Sequence, residues 1–379
     1  MTLHAFSGAR IVTPHGVHDD RVLVIEDGRI AAISAPGEVP AGAEVERLGG
    51  GWLVPGFIDV QVNGGGGVLF NDRTDIAGIA AIAAAHRRFG TTALLPTLIS
   101  DTLDKVALAI DAVDAAIGQG VPGIAGIHIE GPFLNPAKHG IHDPAHLRAL
   151  GDDEIALLTR PGRGRRLVTI APELAPPGVI ARLREAGVIV CAGHSMATYD
   201  QTLAALDEGL DGFTHLFNAM TGVTARAPGM VGAALNDRRS RFGLIADGHH
   251  VHPASMRLAL AARGIDGAML VTDAMPPVGS DIDHFMLGDQ EIRVVDGICR
   301  GADGTLAGSS LDMGSAFRNA VEMIGVSAED ASRMASGIPA DFLGLGGERG
   351  SIAPGLVADL VHLTPAFDVA KVWIGGHPV

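Results

Sequence analysis

Val188-Ile189-Val190-Cys191-Ala192-Gly193-His194-Ser195, followed by Gly212-Phe213-Thr214-His215-Leu216-Phe217-Asn218, is the stretch on which the fold reading turns. The apolar run Val188–Val190 reads as a buried strand that stops at Ala192-Gly193-His194-Ser195. Thr198–Leu206 carries a helical pattern, and a second short strand, Gly212–Thr214, runs into His215. Each histidine therefore stands where a strand ends, with one helix between them. In a parallel α/β barrel adjacent strand ends share one face, and that face carries the chemistry. Two imidazoles placed there can share a metal ion. A strand-end histidine can equally be structural, so the rest of the chain has to decide.

Outward from this stretch the same alternation recurs. Candidate strands are Phe57–Val62, Thr92–Leu98, Gly123–Glu130, Arg166–Ala171, Val188–Ala192, Gly212–His215, Phe242–Ala246 and Ala268–Thr272. Helical patterns lie between several of them, such as Asp75–Phe89 and Asp101–Ile117, the latter with Ser100 or Asp101 as expected N-cap. Eight strands alternating with helices predict an α/β fold, a (β/α)8 TIM-like barrel of the metal-dependent hydrolase type. Residues 1–53 read instead as short β-branched runs with an Asp27-Gly28 hairpin signal. They form the N-terminal part of a small β-sandwich, and residues 348–379 form its C-terminal part. The barrel is expected over residues 54–347, interrupted at about 276–310 by a β insertion with turns at Gly288-Asp289, Asp296-Gly297 and Asp303-Gly304. Helical pattern resumes at Met313–Ile324 and Ala328–Leu343.

The 379 residues carry a formal charge of −15, which argues against non-specific binding to nucleic acid or to an acidic membrane. An anionic substrate would then need a local cluster of donors. Two cysteines, Cys191 and Cys299, are too few for a disulfide framework. Met1-Thr2-Leu3-His4-Ala5-Phe6 lacks the basic start and apolar core of a signal peptide, and no apolar run reaches spanning length. A soluble cytoplasmic protein is expected.

The strand ends collect a chemical set. The third carries Glu130, the fifth His194, the sixth His215, the seventh Asp247 and the eighth Asp273. One carboxylate and two imidazoles suit a catalytic zinc or similar divalent ion with an open position. Such an ion makes hydrolysis the natural chemistry, and a free carboxylate, Asp273, would move the proton. A glutamate closing an apolar strand is costly to bury without a partner, which favours a ligand role for Glu130. Asp273 could instead cap a helix, although Pro276 and Pro277 disfavour one starting there. His128 lies two residues before Glu130 and could face the site. Asp247, in Asp247-Gly248-His249-His250, is open between turn former and site residue. The first strand ends Asp59-Val60-Gln61-Val62-Asn63-Gly64, where barrels of this type often carry His-x-His. Gln61 and Asn63 are poor zinc ligands and mark a possible vestigial second-metal position. The three lysines, Lys105, Lys138 and Lys371, all lie away from the fourth strand end, which excludes a carboxylated lysine bridging two metals.

Seven motifs in order resemble the N-acetylglucosamine-6-phosphate deacetylases of the amidohydrolase superfamily. They are Asp59–Gly64, His128–Asn135, Ala192–Ser195, Thr214–Met220, Ala246–Val251, Val271–Ala274 and Gly304–Ser310. The resemblance covers essentially the whole chain. It implies metal-dependent removal of acetate from the 2-acetamido group of an amino-sugar 6-phosphate, in amino-sugar catabolism or recycling. By motif position it implies Glu130, His194 and His215 as metal ligands and Asp273 as base and then acid. His142 matches the sugar-binding histidine that also polarises the amide carbonyl. Asn218, Ala219 and Leu311 count with the substrate-binding positions. Arg226 and His250 match phosphate binders that reach in from the neighbouring subunit, which implies a homodimer. Gln61 and Asn63 match a one-metal subgroup, so one divalent ion per subunit is expected: Zn2+, with Fe2+, Co2+ or Mn2+ as alternatives. An N-acetylgalactosamine-6-phosphate deacetylase and a non-catalytic barrel scaffold are the alternative readings.

Overall fold

The structure, a computed structural model, describes residues 3–379; the first two residues of the expected segment 1–53 lie outside it. Eight strands form one parallel sheet in chain order. They are β1 (Phe57–Val62), β2 (Thr91–Ile99), β3 (Gly126–Glu130), β4 (Arg165–Ile170), β5 (Ile189–Ala192), β6 (Gly212–Phe213), β7 (Arg241–Ile245) and β8 (Ala268–Val271). Every neighbouring pair is parallel. The sheet closes on itself where Asp273 N–H donates to Gln61 O at 3.0 Å and Asn63 N–H to Ala274 O at 2.9 Å. All residues of β1 and β2 are buried, as expected of strands covered on both faces. The expected alternation of strands and helices is thus present, with β3 and β6 shorter than the apolar runs alone indicated.

The helices start where the local chemistry allows. Thr198 caps Tyr199–Glu208 through a reciprocal box with Gln201, and Asp75 caps Ile76–Arg87. The helix after β2 runs from Leu103 to Gly118, and its cap is Thr102 rather than Ser100 or Asp101. Those two are engaged elsewhere: Asp101 accepts from Asn71, and Ser100 faces His142. The helical patterns after β8 contain π-helical turns at Ala320–Ile324 and Arg333–Gly337, which no periodicity announced.

Both chain ends build the flanking sheets. A four-stranded sheet holds Leu3–Ser7, Val22–Glu26, Arg29–Ser34 and Glu44–Arg47. A six-stranded sheet combines Arg10–Thr13, Gly16–His18 and Trp52–Pro55 with Leu360–Leu363, Val369–Ile374 and His377–Pro378. They share an apolar core of Phe6, Ile11, Leu23, Ile25, Ile30, Leu53, Leu360 and Trp373. The Phe6 and Trp373 rings meet edge-on with centroids 4.8 Å apart. A three-stranded antiparallel meander, His284–Leu287, Gln290–Val295 and Ile298–Arg300, follows β8. Among the described residues no helix is long and apolar enough to cross a membrane.

Candidate active site

The C-terminal ends of the barrel strands converge on one cavity of about 360 Å³. Glu130 is the last residue of β3, while His194, His215 and Asp273 each follow β5, β6 and β8 by two residues. Those three residues have left-handed backbones, φ 48°, 33° and 53°. Such a conformation costs on the order of 1–3 kcal/mol for a non-glycine residue and here turns each side chain out of the strand into the cavity. Ala219 and Phe217 of the next loop share it.

His194 Nε2 and His215 Nε2 are 3.0 Å apart, and they lie 3.3 and 2.9 Å from Glu130 Oε1. Among the described residues this is the one cluster of three whose ligand atoms converge closely enough to hold a metal ion. The donor set fits one. The Nδ1–H of His194 donates to Lys138 O at 2.8 Å, which leaves the Nε2 lone pair facing the other two ligand atoms. Burial would raise Glu130, but hydrogen bonds and charge from His194 and His215 hold it well below the usual carboxylate range. Burial pulls His215 down, and the Glu130 carboxylate more than reverses that, raising it.

Asp273 stands beside the cluster. Its Oδ1 accepts from Gln61 Nε2 at 3.1 Å and from Asn63 Nδ2 at 2.6 Å. Gln61 Nε2 also donates to Glu130 Oε2 at 3.1 Å, so one amide bridges both carboxylates. Both amides thus turn N–H donors, not acceptors, toward the two carboxylates. Burial, and then the Glu130 charge, push Asp273 up to about 6.

His142 also lines the cavity, its ring centroid 4.5 Å from that of His194. Burial, and then His194, lower its pKa to about 3, so it is neutral. His250 lines the same cavity within its own chain, with Nδ1 held 2.6 Å from Asp247 Oδ2. The resemblance implied that it reaches in from a neighbouring subunit; within this chain the turn after β7 already sets it in the cavity. Asp247 makes that turn, its Oδ1 accepting from the backbone N–H groups of His249 and His250. Asn218 and Ala219 line the cavity, whereas Arg226 is exposed on the loop before Gly229–Asn236 and outside it. Leu311 is corrected. It packs in the barrel core, and Thr305, Leu306 and Gly308 of the preceding motif line the cavity instead. His128 points below the site, bonded to Thr169 Oγ1 at 2.8 Å, and burial lowers its pKa to about 4.

The Amidohydrolase family model matches residues 52–379, a span that contains all of these side chains. The chain belongs to the amidohydrolase family. It is 43% identical to N-acetylgalactosamine-6-phosphate deacetylase of Shewanella sp. (strain ANA-3), over 97% of this chain and 94% of that one. It is 32% identical to N-acetylglucosamine-6-phosphate deacetylase of Haemophilus influenzae, covering 98% of each. The solved N-acetylglucosamine-6-phosphate deacetylase of Pasteurella multocida superposes with a TM-score of 0.96 at 34% identity, covering 100% of this chain and 99% of that one.

Within this amidohydrolase, two residues of the site arrangement were given no role by the sequence. Glu173, after β4, accepts from Asn135 Nδ2, Ser195 Oγ and Met196 N–H, tying the loops on either side of His194 together. Asp59, in β1, accepts from Thr272 Oγ1 at 2.5 Å beneath Asp273, and burial pushes it up to about 7.

Proposed function

We propose that this amidohydrolase hydrolyses the 2-acetamido group of N-acetyl-D-glucosamine 6-phosphate to D-glucosamine 6-phosphate and acetate. The observation that carries the reading is one cavity holding the Glu130/His194/His215 cluster, the Asp273 carboxylate and two further histidines, His142 and His250. Glu130, His194 and His215 would hold one divalent ion, zinc by preference for two imidazoles and a carboxylate. When bound, it supplies Lewis-acid chemistry, acidifying water and polarising a carbonyl oxygen.

The chain's own residues do the rest. Asp273 takes a proton from the water that adds to the amide carbon, then delivers it to the sugar nitrogen as the C–N bond breaks. Gln61 and Asn63 hold that carboxylate in place. His142 donates a hydrogen bond to the carbonyl oxygen, which gains charge as the bond forms. Asn218 and the Ala219 backbone meet the sugar. His250 of the same chain binds the phosphate, joined by Arg226 of a second copy in a cytoplasmic homodimer. Arg226 suits that task, since guanidinium donors pair with phosphate bidentately. A phosphate anchored away from the amide orients the reacting carbon.

The test is acetate release from N-acetylglucosamine 6-phosphate, its unphosphorylated sugar and the galactosamine epimer. Fast release that requires the phosphate supports the reading. The 43% identity to the Shewanella N-acetylgalactosamine-6-phosphate deacetylase favours a second reading, the epimer. Faster turnover of the galactosamine compound would select it. No release from a metal-loaded enzyme would refute both.

A further inference from the structure

Ser100 directly follows β2, at the point where a serine would ordinarily cap the next helix. Thr102 does that instead, its hydroxyl accepting from Lys105 N–H. Ser100 is free for another task, and both of its polar groups turn to one atom. Its Oγ lies 2.8 Å from His142 Nδ1, and its backbone N–H donates to the same nitrogen at 3.2 Å. Ser100 and His142 are 5% and 3% exposed, so water does not substitute for this contact. The hydroxyl is boxed in from the far side: a Cβ on Gly131 would lie 2.2 Å from it.

A backbone N–H can only donate. His142 Nδ1 must therefore present its lone pair, and the proton of the neutral ring sits on Nε2. We propose that Ser100 is a positioning residue, fixing the ring plane and the proton of His142 so that Nε2–H is the donor the cavity offers. This rests on the reading of His142 as the group that meets the amide carbonyl. Without the hydroxyl a single backbone N–H holds the ring, which can then turn and exchange tautomers.

The experiment is Ser100→Ala in the metal-loaded, full-length protein. Loss of such a supporting hydrogen bond should lower kcat about 10–100-fold, with KM and metal content largely unchanged. The same substitution in a His142→Asn background should have no further effect. Additive losses would mean that Ser100 acts on the fold and would overturn the proposal. The 15N resonances of the His142 ring give a readout that does not depend on turnover. The wild type should carry its proton on Nε2, and in Ser100→Ala, where only the longer 3.2 Å backbone contact remains, the ring should loosen and the Nδ1–H tautomer should gain population. A proton on Nδ1 in the wild type, or an unaltered ring in the variant, would overturn the role of Ser100. Should the wild type release no acetate, the substrate reading fails, and the resonances still decide this one.

Discussion

Asp273→Asn separates proton transfer from architecture. Asp273 Oδ1 accepts from Gln61 and Asn63, and an asparagine oxygen accepts the same two bonds, so the site keeps its shape. Glu130, His194 and His215 are untouched, and the ion should bind at full stoichiometry. What disappears is the base. A positioned general acid–base group is worth about 10²–10⁴ in rate, or roughly 2.7–5.4 kcal/mol of barrier at about 1.36 kcal/mol per decade. The pH profile adds a second signature. Asp273 is pushed up to about 6 by burial and then by Glu130, and the base works only when ionised. Activity of the wild type should therefore rise with pH and level off near 6, or lower, since a cation beside the carboxylate favours its ionised form. The variant should lose this acidic limb along with the rate. The assays are acetate release against pH and metal analysis of the same preparations. Activity within tenfold of wild type, with the limb intact, would refute the assignment of Asp273.

Three further outcomes follow from the geometry. His215→Ala removes one of three ligand atoms, and metal analysis after dialysis should find the ion lost; full retention would dissolve the cluster assignment. Mixing Arg226→Ala subunits with Asp273→Asn subunits should restore activity that neither has alone, because one hybrid site regains both groups; no recovery would mean that Arg226 does not cross a subunit boundary. Asp59 gives a stability test. Burial raises its folded pKa to about 7, above the ordinary aspartate value of 3.8, so its contribution is full below the unfolded value and is lost as pH rises through about 7. The span corresponds to roughly 4 kcal/mol. Denaturant midpoints should fall between pH 5 and pH 8 in the wild type and fall less in Asp59→Asn; identical slopes would refute the buried-acid reading.

The barrel was legible because its strands are buried on both faces and so read as continuous apolar runs, each ended by a turn. The convergence of Glu130, His194 and His215 was legible for the same reason: they stand where those runs stop, and closing the barrel brings their ends together. Asp273 joined them on equal terms. What stayed hidden depends on contacts that no period encodes. Ser100 and His142 are 42 residues apart and meet only because the segment after β3 folds back over the end of β2. The capping rule offered Ser100 or Asp101 to the helix, and Thr102 satisfied that rule equally well. By resemblance His250 reaches in from a neighbouring subunit; within this chain the Asp247 turn, local to four residues, sets it in the cavity. Leu311 is the opposite case: its motif does reach the cavity, but through Thr305, Leu306 and Gly308, while the chain has already turned into the core by Leu311. Local pattern thus located the face of the barrel where chemistry is possible. Which side chains are held in place on that face is decided by the loops, where a shift of two residues separates a helix cap from a partner of His142.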